Sequence, residues 1–527
     1  MYGEDMKQLL EAVKTKRAIN LVIPQKRMTA EEKTKLLETF HPDYRDDEFD
    51  TLTVGANAGE KAPKELCRLL EGKSRTPYDI DLTEYEHSAD VLIIGGGGAG
   101  TSAAIEAHKQ GANVLLVTKL HIGDANTMMA EGGIQAADKN GDSPAVHFLD
   151  AFGGGHFAAK KELLYELVTK APEAIKWLTD LGVEFDKDDK GNMITTHGGG
   201  TSRKRMHAAK DYTGAEIMRT LRDEALSSGI KIIDFTAALD ILLDEDGKAC
   251  GAVLMNMETG KVFVARAKTV IIATGGAGRL HYQSFPTSNH YGATADGLVI
   301  AYRAGAKLMY PDTLQYHPTG AAYPSQIFGA LVTEKVRSLG AMLINKDGDA
   351  FMHPLETRDV TAASIIRECT QRDKGIETVN GVGVWLDTPM IEEIHGEGTI
   401  EKRIPAMMRM FAEYGIDIRK EPILVYPTLH YQNGGIDINP DCETSVEGLF
   451  AAGEVVGGIH GRNRLMGNSL LDVIVFGRIA GKMAAEKAKC SEFTSPMLTH
   501  LIEFEKMKKA AGVINDTPSP MLLPKYT

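Results

Sequence analysis

Residues 90–119, DVLIIGGGGAGTSAAIEAHKQGANVLLVTK, constrain this chain more than any other stretch. Residues 91–94 form a purely apolar run expected of a buried strand, 101–110 read as a helix, and 114–117 as a second strand. Gly95, Gly97 and Gly100 between them match GxGxxG, with Gly98 and Ala99 filling the turn. The first glycines let the backbone turn tightly and approach a pyrophosphate that rests on the helix N-terminus, and Gly100 lets helix and strand pack closely. The unit is therefore a dinucleotide-binding βαβ. The acid expected about 20 residues on, which would hold a nicotinamide dinucleotide's ribose, is replaced by Thr118-Lys119. A flavin dinucleotide fits that exchange better.

The rest of the chain repeats the theme. Glycine makes up 54 of 527 residues, above the usual ~7%, and it collects in a few turns. Two of these follow further apolar strands, KTVIIATGGAGR (268–279) and EGLFAAGEVVGG (447–458), the second carrying Glu454. Strands alternating with amphipathic helices from residue 90 onward predict an α/β fold with a mainly parallel sheet. Residues 1–88 differ, with charged helix-like segments joined by polar loops, and read as an N-terminal helical extension. Residues 489–527 read as a C-terminal helix and a proline-containing tail.

Composition narrows the function. A net charge of −13 leaves no surplus of cations to replace phosphate counterions, which argues against a nucleic-acid partner. No run approaches the ~18 apolar residues of a membrane helix, and the acidic start does not resemble a secretory signal, so a cytoplasmic protein without direct membrane insertion is expected. Cys67, Cys250, Cys369, Cys442 and Cys490 are widely spaced, which excludes closely ligated zinc or iron–sulfur centres, so no metal is expected. Electron chemistry must then use an organic cofactor.

Four further segments carry a family resemblance: LQYHPTG (314–320), LVTEKVR (331–337), ETRDVTAASIIRE (356–368) and LHYQNGG…HGRNRLMGNSLLD (429–472). With the glycine loop, they resemble the flavoprotein subunit of fumarate reductase and succinate dehydrogenase, and its relative L-aspartate oxidase. The resemblance implies a doubly wound, Rossmann-like FAD-binding domain (89–316 and 430–488) interrupted by an α+β capping domain (317–429). It implies FAD contacts at Gly95–Gly100, Thr118, Lys119, Asn126, Thr127, Gly132, Gly133, Asp296, Glu454, Ser469 and Leu470. It also implies that His430 and Arg464 hold one carboxylate of a C4 dicarboxylate (fumarate or succinate), and His317 with Thr333 the other. A dianion needs cationic or hydrogen-bonding groups at both ends, which these residue types supply. Arg358 matches the family's proton donor, opposite the hydride from flavin N5. Glu334 and Arg337, three apart and on one face if helical, complete a proton path.

The chain departs from the family pattern at two places that matter. Membrane-bound members attach FAD through a His in a segment like SHTVAAEGG, whereas here ANTMMAEGG places Asn126 at that position. Asn has no imidazole nucleophile, so FAD is expected to be non-covalent, as in L-aspartate oxidase, and the direction to be fumarate reduction. Residues 198–214, including Arg203-Lys204-Arg205, are closer to the aspartate oxidase pattern, with the basic cluster facing either an anion or solvent. The expected activity is thus that of a flavoprotein catalytic subunit in anaerobic electron transport. An iron–sulfur partner subunit would feed it, and only through partners would it lie peripheral to a membrane. The alternatives are L-aspartate oxidase and a non-catalytic flavin electron-transfer subunit.

Overall fold

The computed structural model describes residues 2–525. At its centre lies a seven-stranded sheet. The strand His87–Ile94 runs parallel to Val114–Val117 on one side and to Val262–Ile272 on the other. Lys231–Ile233 and Leu449–Ala451 add parallel partners at either flank. The central strands are apolar because both faces are covered by helices. Beyond them, Thr236–Leu243 and Ala249–Asn256 form an antiparallel ribbon that joins the first half of Val262–Ile272. The sheet is therefore mixed, and its parallel half carries the glycine turns at the strand C-termini.

Two helices cover that half: Gly98–Lys109 after the glycine loop, and the 22-residue helix Asn468–Lys489. They meet backbone to backbone. A Cβ on Gly481 would lie 2.2 Å from the Ala103 carbonyl, so only glycine permits this approach. The contact sets the two helix N-termini side by side over the ends of the strands.

The second body is an antiparallel sheet built from Leu314–Ala321, Ile423–Gln432, Gly381–Leu386 and Leu343–Ile344, with Ile376–Thr378 on its edge. It has its own core around Trp385, Leu386, Phe411 and Ile423. Its two long strands run through positions 316/317 and 429/430, the boundaries expected from the resemblance. Side chains on them accordingly reach both bodies. Helix Arg358–Thr370 packs across this sheet.

The N-terminal extension is shared between the two bodies. Helix Glu4–Val22 packs Leu10 and Val13 into the cap core and ties Arg17 to Asp387 through two 2.8 Å hydrogen bonds. Residues 52–70 pack instead into the core of the first body, around the central sheet. Between them, helix Ala30–Phe40 begins with a capping box at Thr29 and Glu32 and lays Leu36 and Leu37 against Val360 and Ala363. At the other end, helix Thr499–Ala510 leads to a tail that returns to the glycine-loop side of the sheet. No described helix is long and apolar enough to cross a membrane.

Candidate active site

A long cavity runs along the C-terminal ends of the parallel strands and beneath the cap. Gly95, Gly97, Gly98 and Ala99 line it at one end, with Thr118, Lys119 and Asp296 beside them. Asn126, Thr127, Gly132, Gly133, Glu454, Ser469 and Leu470 line its middle. His317, Thr333, Glu334, Arg358, His430 and Arg464 close the far end. Gly100 and Arg337 stand behind the wall. Gly95 has φ +117°, and a Cβ on Gly100 would fall 1.8 Å from the Gly95 carbonyl oxygen. The loop is therefore shaped for backbone contact with a ligand, not for side chains.

The cavity's chemistry fits an anionic dinucleotide. Helices Gly98–Lys109 and Asn468–Lys489 both start at its wall, and both N-caps are glycines without side-chain caps. Their first N–H groups are thus left for a ligand, and their dipoles favour negative charge. Glu131 Oε2 and Arg464 Nε, both in cavity-lining residues, also have no protein partner. At the glycine-loop end, Lys119 Nζ donates to Asp296 Oδ2 and to the Leu522 carbonyl, each at 2.5 Å. Leu522 N in turn donates to Asp296 Oδ1 at 3.1 Å. The C-terminal tail therefore buttresses the two charged residues where a dinucleotide fold places its ribose.

Asn126 occupies the middle of a network. Its Nδ2 donates to Asn289 Oδ1 (2.6 Å) and Glu454 Oε2 (3.0 Å), and its Oδ1 accepts from His290 N at 2.6 Å. Glu454 Oε1 accepts from Gln432 N at 3.1 Å, and burial holds its carboxyl above the usual range.

The far end gathers residues from four segments. His317 and His430 stand on the paired cap strands with ring centroids 5.1 Å apart. His317 Nδ1 lies 3.2 Å from Thr319 N and 3.3 Å from the Thr319 carbonyl oxygen. Burial, then Arg358 and His430, hold His317 well below its ordinary pKa, and burial, Arg358 and Arg464 do the same to His430. Both imidazoles are therefore neutral at physiological pH and serve as hydrogen-bonding groups, while the guanidiniums carry the charge. Arg464 lies 4.2 Å from the Tyr431 ring centroid, and burial beside Arg358 pulls its pKa down to about 9.

Arg358 opens its helix and aims into the cavity wall. Its Nε donates to Glu334 Oε2 at 2.8 Å. Arg337 Nη2 lies 3.5 Å from the same oxygen. The intervening helix is only Lys335–Ser338, with Glu334 as its N-cap residue; that single turn suffices to bring the pair together. Burial pushes Glu334 up, but Arg358 and Arg337 more than offset it, and the carboxylate is held below its usual range. Arg358 and Arg337 gather on Glu334 here, while Arg464 feels Glu454 as well as Glu334.

Sequence reasoning missed Gln315. Its Oε1 accepts from Arg358 Nη1 and Arg464 Nη2, each at 3.0 Å, and its Nε2 donates to Asn463 Oδ1 and the Arg464 carbonyl. One amide thus joins the two arginines. Its only sequence signal is its place two residues before His317, on the same face of a strand. Within the basic cluster, Arg203 and Lys204 face solvent, one of the two expectations, while Arg205 departs from both and is buried against Asp142 and Asp150.

Residues 90–470 match the FAD binding domain family. The flavoprotein subunit of 8-methylmenaquinol:fumarate reductase from Wolinella succinogenes is 37% identical, covering 81% of this chain and 70% of that protein. The chain belongs to the fumarate reductase/succinate dehydrogenase flavoprotein family. FrdA of E. coli quinol fumarate reductase is 33% identical, with a TM-score of 0.72 over 80% of this chain and 74% of that one. An L-aspartate oxidase from Streptomyces coelicolor is 35% identical, covering 76% of this chain and 69% of that protein. The protein is accordingly an FAD-dependent oxidoreductase of the fumarate reductase/succinate dehydrogenase type, and its doubly wound FAD-binding fold is that of the family.

Proposed function

We propose that this flavoprotein reduces fumarate to succinate, with Arg358 as the proton donor. The observation that carries the reading is the Arg358–Glu334–Arg337 chain of contacts ending in the cavity wall. FAD, held non-covalently past Asn126, supplies the hydride when bound. Arg464 and His430 hold one carboxylate, and His317 with the Thr333 hydroxyl holds the other. Clamping both ends fixes the alkene in the geometry the reaction needs and polarises it toward the hydride. Arg358 gives its proton to the carbon that the hydride does not take, so the alkene gains one hydride and one proton. Glu334 then returns a proton to Arg358, drawing on Arg337. Burial lowers the pKa of the Arg337 guanidinium, which eases its part in that transfer.

The second reading is L-aspartate oxidase, whose substrate brings an ammonium as well as two carboxylates; Glu334, engaged by two arginines, is not free to meet that ammonium. For electrons, we propose a separate iron–sulfur subunit. Relatives are named as flavoprotein subunits, and four of the five cysteines here are buried. The test is Arg358→Gln. Dye-linked fumarate reduction should vanish while the FAD content stays at the wild-type level; retained turnover would remove Arg358 from the proton-donor role. Iminoaspartate formation from aspartate by the wild type would transfer the reading to the oxidase.

A further inference from the structure

The residue that carries the proton is anchored from outside both catalytic bodies. Glu356 lies two positions before Arg358 and is 1% exposed. Its Oε1 accepts from Met28 N at 3.1 Å, and its Oε2 lies 2.7 Å from Lys33 Nζ. Arg27 Nη1 stands 3.8 Å from Oε2 and donates to the Leu355 carbonyl at 3.0 Å. All three partners belong to the N-terminal extension. One turn further into the Arg358 helix, Leu36 and Leu37 cover Val360 and Ala363. The extension then reaches the strand of Gln315 and His317: Asp43 Oδ2 accepts from Leu314 N at 3.2 Å, and the His41 ring meets Tyr316 edge-on. On the opposite side, Asp359 Oδ2 and His156 Nε2 are 2.6 Å apart, tying the same helix end to the FAD-binding domain.

From this we infer that Glu356, clasped by Arg27, Met28 and Lys33, is a positioning residue for Arg358, and that the N-terminal extension is a working part of the active site. The inference rests on the proton-donor reading of Arg358. A guanidinium whose tip is fixed by Glu334 and Gln315 still moves if the start of its helix moves. Proton transfer is sensitive to displacements well under an ångström, because donor and acceptor must come within hydrogen-bond reach. Glu356 meets neither substrate nor cofactor, since it does not line the cavity. Its loss should therefore act on the proton step and leave the dicarboxylate clamp intact.

The test compares Glu356→Ala, Glu356→Gln and Lys33→Met in the full-length holoprotein. The last alters a side chain that is 29% exposed, so it keeps the comparison open if the first variant does not fold. Glu356→Ala should lower kcat for fumarate at least about tenfold, with KM within about threefold of wild type. Glu356→Gln, whose amide oxygen still accepts from Met28 N, should recover part of that loss, and Lys33→Met should fall between. Hydrogen exchange of the amides of residues 357–364 should quicken in the same order. Unchanged kcat, or a KM that rises as much as kcat falls, would overturn the inference. A wild type inert toward fumarate would defeat the functional reading alone. The exchange measurement would then decide the positional claim, and unchanged protection at 357–364 would overturn it.

Discussion

Replacing Gln315 by Leu keeps the side chain's bulk and removes the amide that joins the two arginines. Two charge-assisted hydrogen bonds disappear, those from Arg358 Nη1 and Arg464 Nη2. Each is worth about 1.5–3 kcal/mol when both partners are buried. The two losses act on different quantities. Arg464 regains an anionic partner when the dicarboxylate binds, so KM should change by less than about threefold. Arg358 keeps only its bond to Glu334, and the loss of its second tether falls on the proton-transfer step. At about 1.4 kcal/mol per decade, kcat should drop roughly 10- to 100-fold. Steady-state fumarate reduction with a reduced dye, normalised to the flavin absorbance of each preparation, measures both numbers. A kcat within about twofold of wild type at equal flavin content would refute the view that Gln315 sets the position of Arg358.

The remaining predictions concern the cofactor and pH. Acid precipitation should release the flavin into the supernatant, because Asn126 offers no nucleophile; yellow colour retained in the pellet would show a covalent bond. Arg464 loses its proton as pH rises through about 9 in the unliganded protein. Only the protonated form attracts a dianion, so KM should be flat below that pH and rise about tenfold per unit above it; a KM that stays flat well into the alkaline range would contradict this. Leu522 has φ +69°, which proline cannot adopt, so Leu522→Pro removes the amide that donates to Asp296 Oδ1 and also displaces the tail from it; FAD should dissociate several-fold faster, as followed by the recovery of flavin fluorescence on dilution.

The glycine loop, its strand and its helix are legible in sequence because a βαβ turn is local: Gly95, Gly100 and the flanking apolar runs lie within a few residues of one another. His317, His430, Arg358 and Arg464 are legible as motifs, yet their meeting is not. It depends on the antiparallel pairing of Leu314–Ala321 with Ile423–Gln432, which includes two register shifts, and no local periodicity encodes those. Gln315 escapes notice for a related reason, since a lone amide has no chemistry until two guanidiniums are brought to it. The extension reads as helical, and helices Glu4–Val22 and Ala30–Phe40 are there. What Lys33 grips cannot be read, because its partner Glu356 lies in a different body of the molecule and an ion pair between distant segments leaves no spacing in the sequence.

The contact between Lys119 and Leu522 joins residues 403 positions apart, and this has a consequence for biogenesis. A ribosome making this chain exposes the glycine loop early, long before the segment that braces Lys119 and Asp296 has been translated. Any flavin that docks on the nascent βαβ unit meets a binding site with one wall missing and can escape again. Durable loading must await release of the tail, so the apoprotein should be a real species in the cell and flavin supply a determinant of how much of it matures.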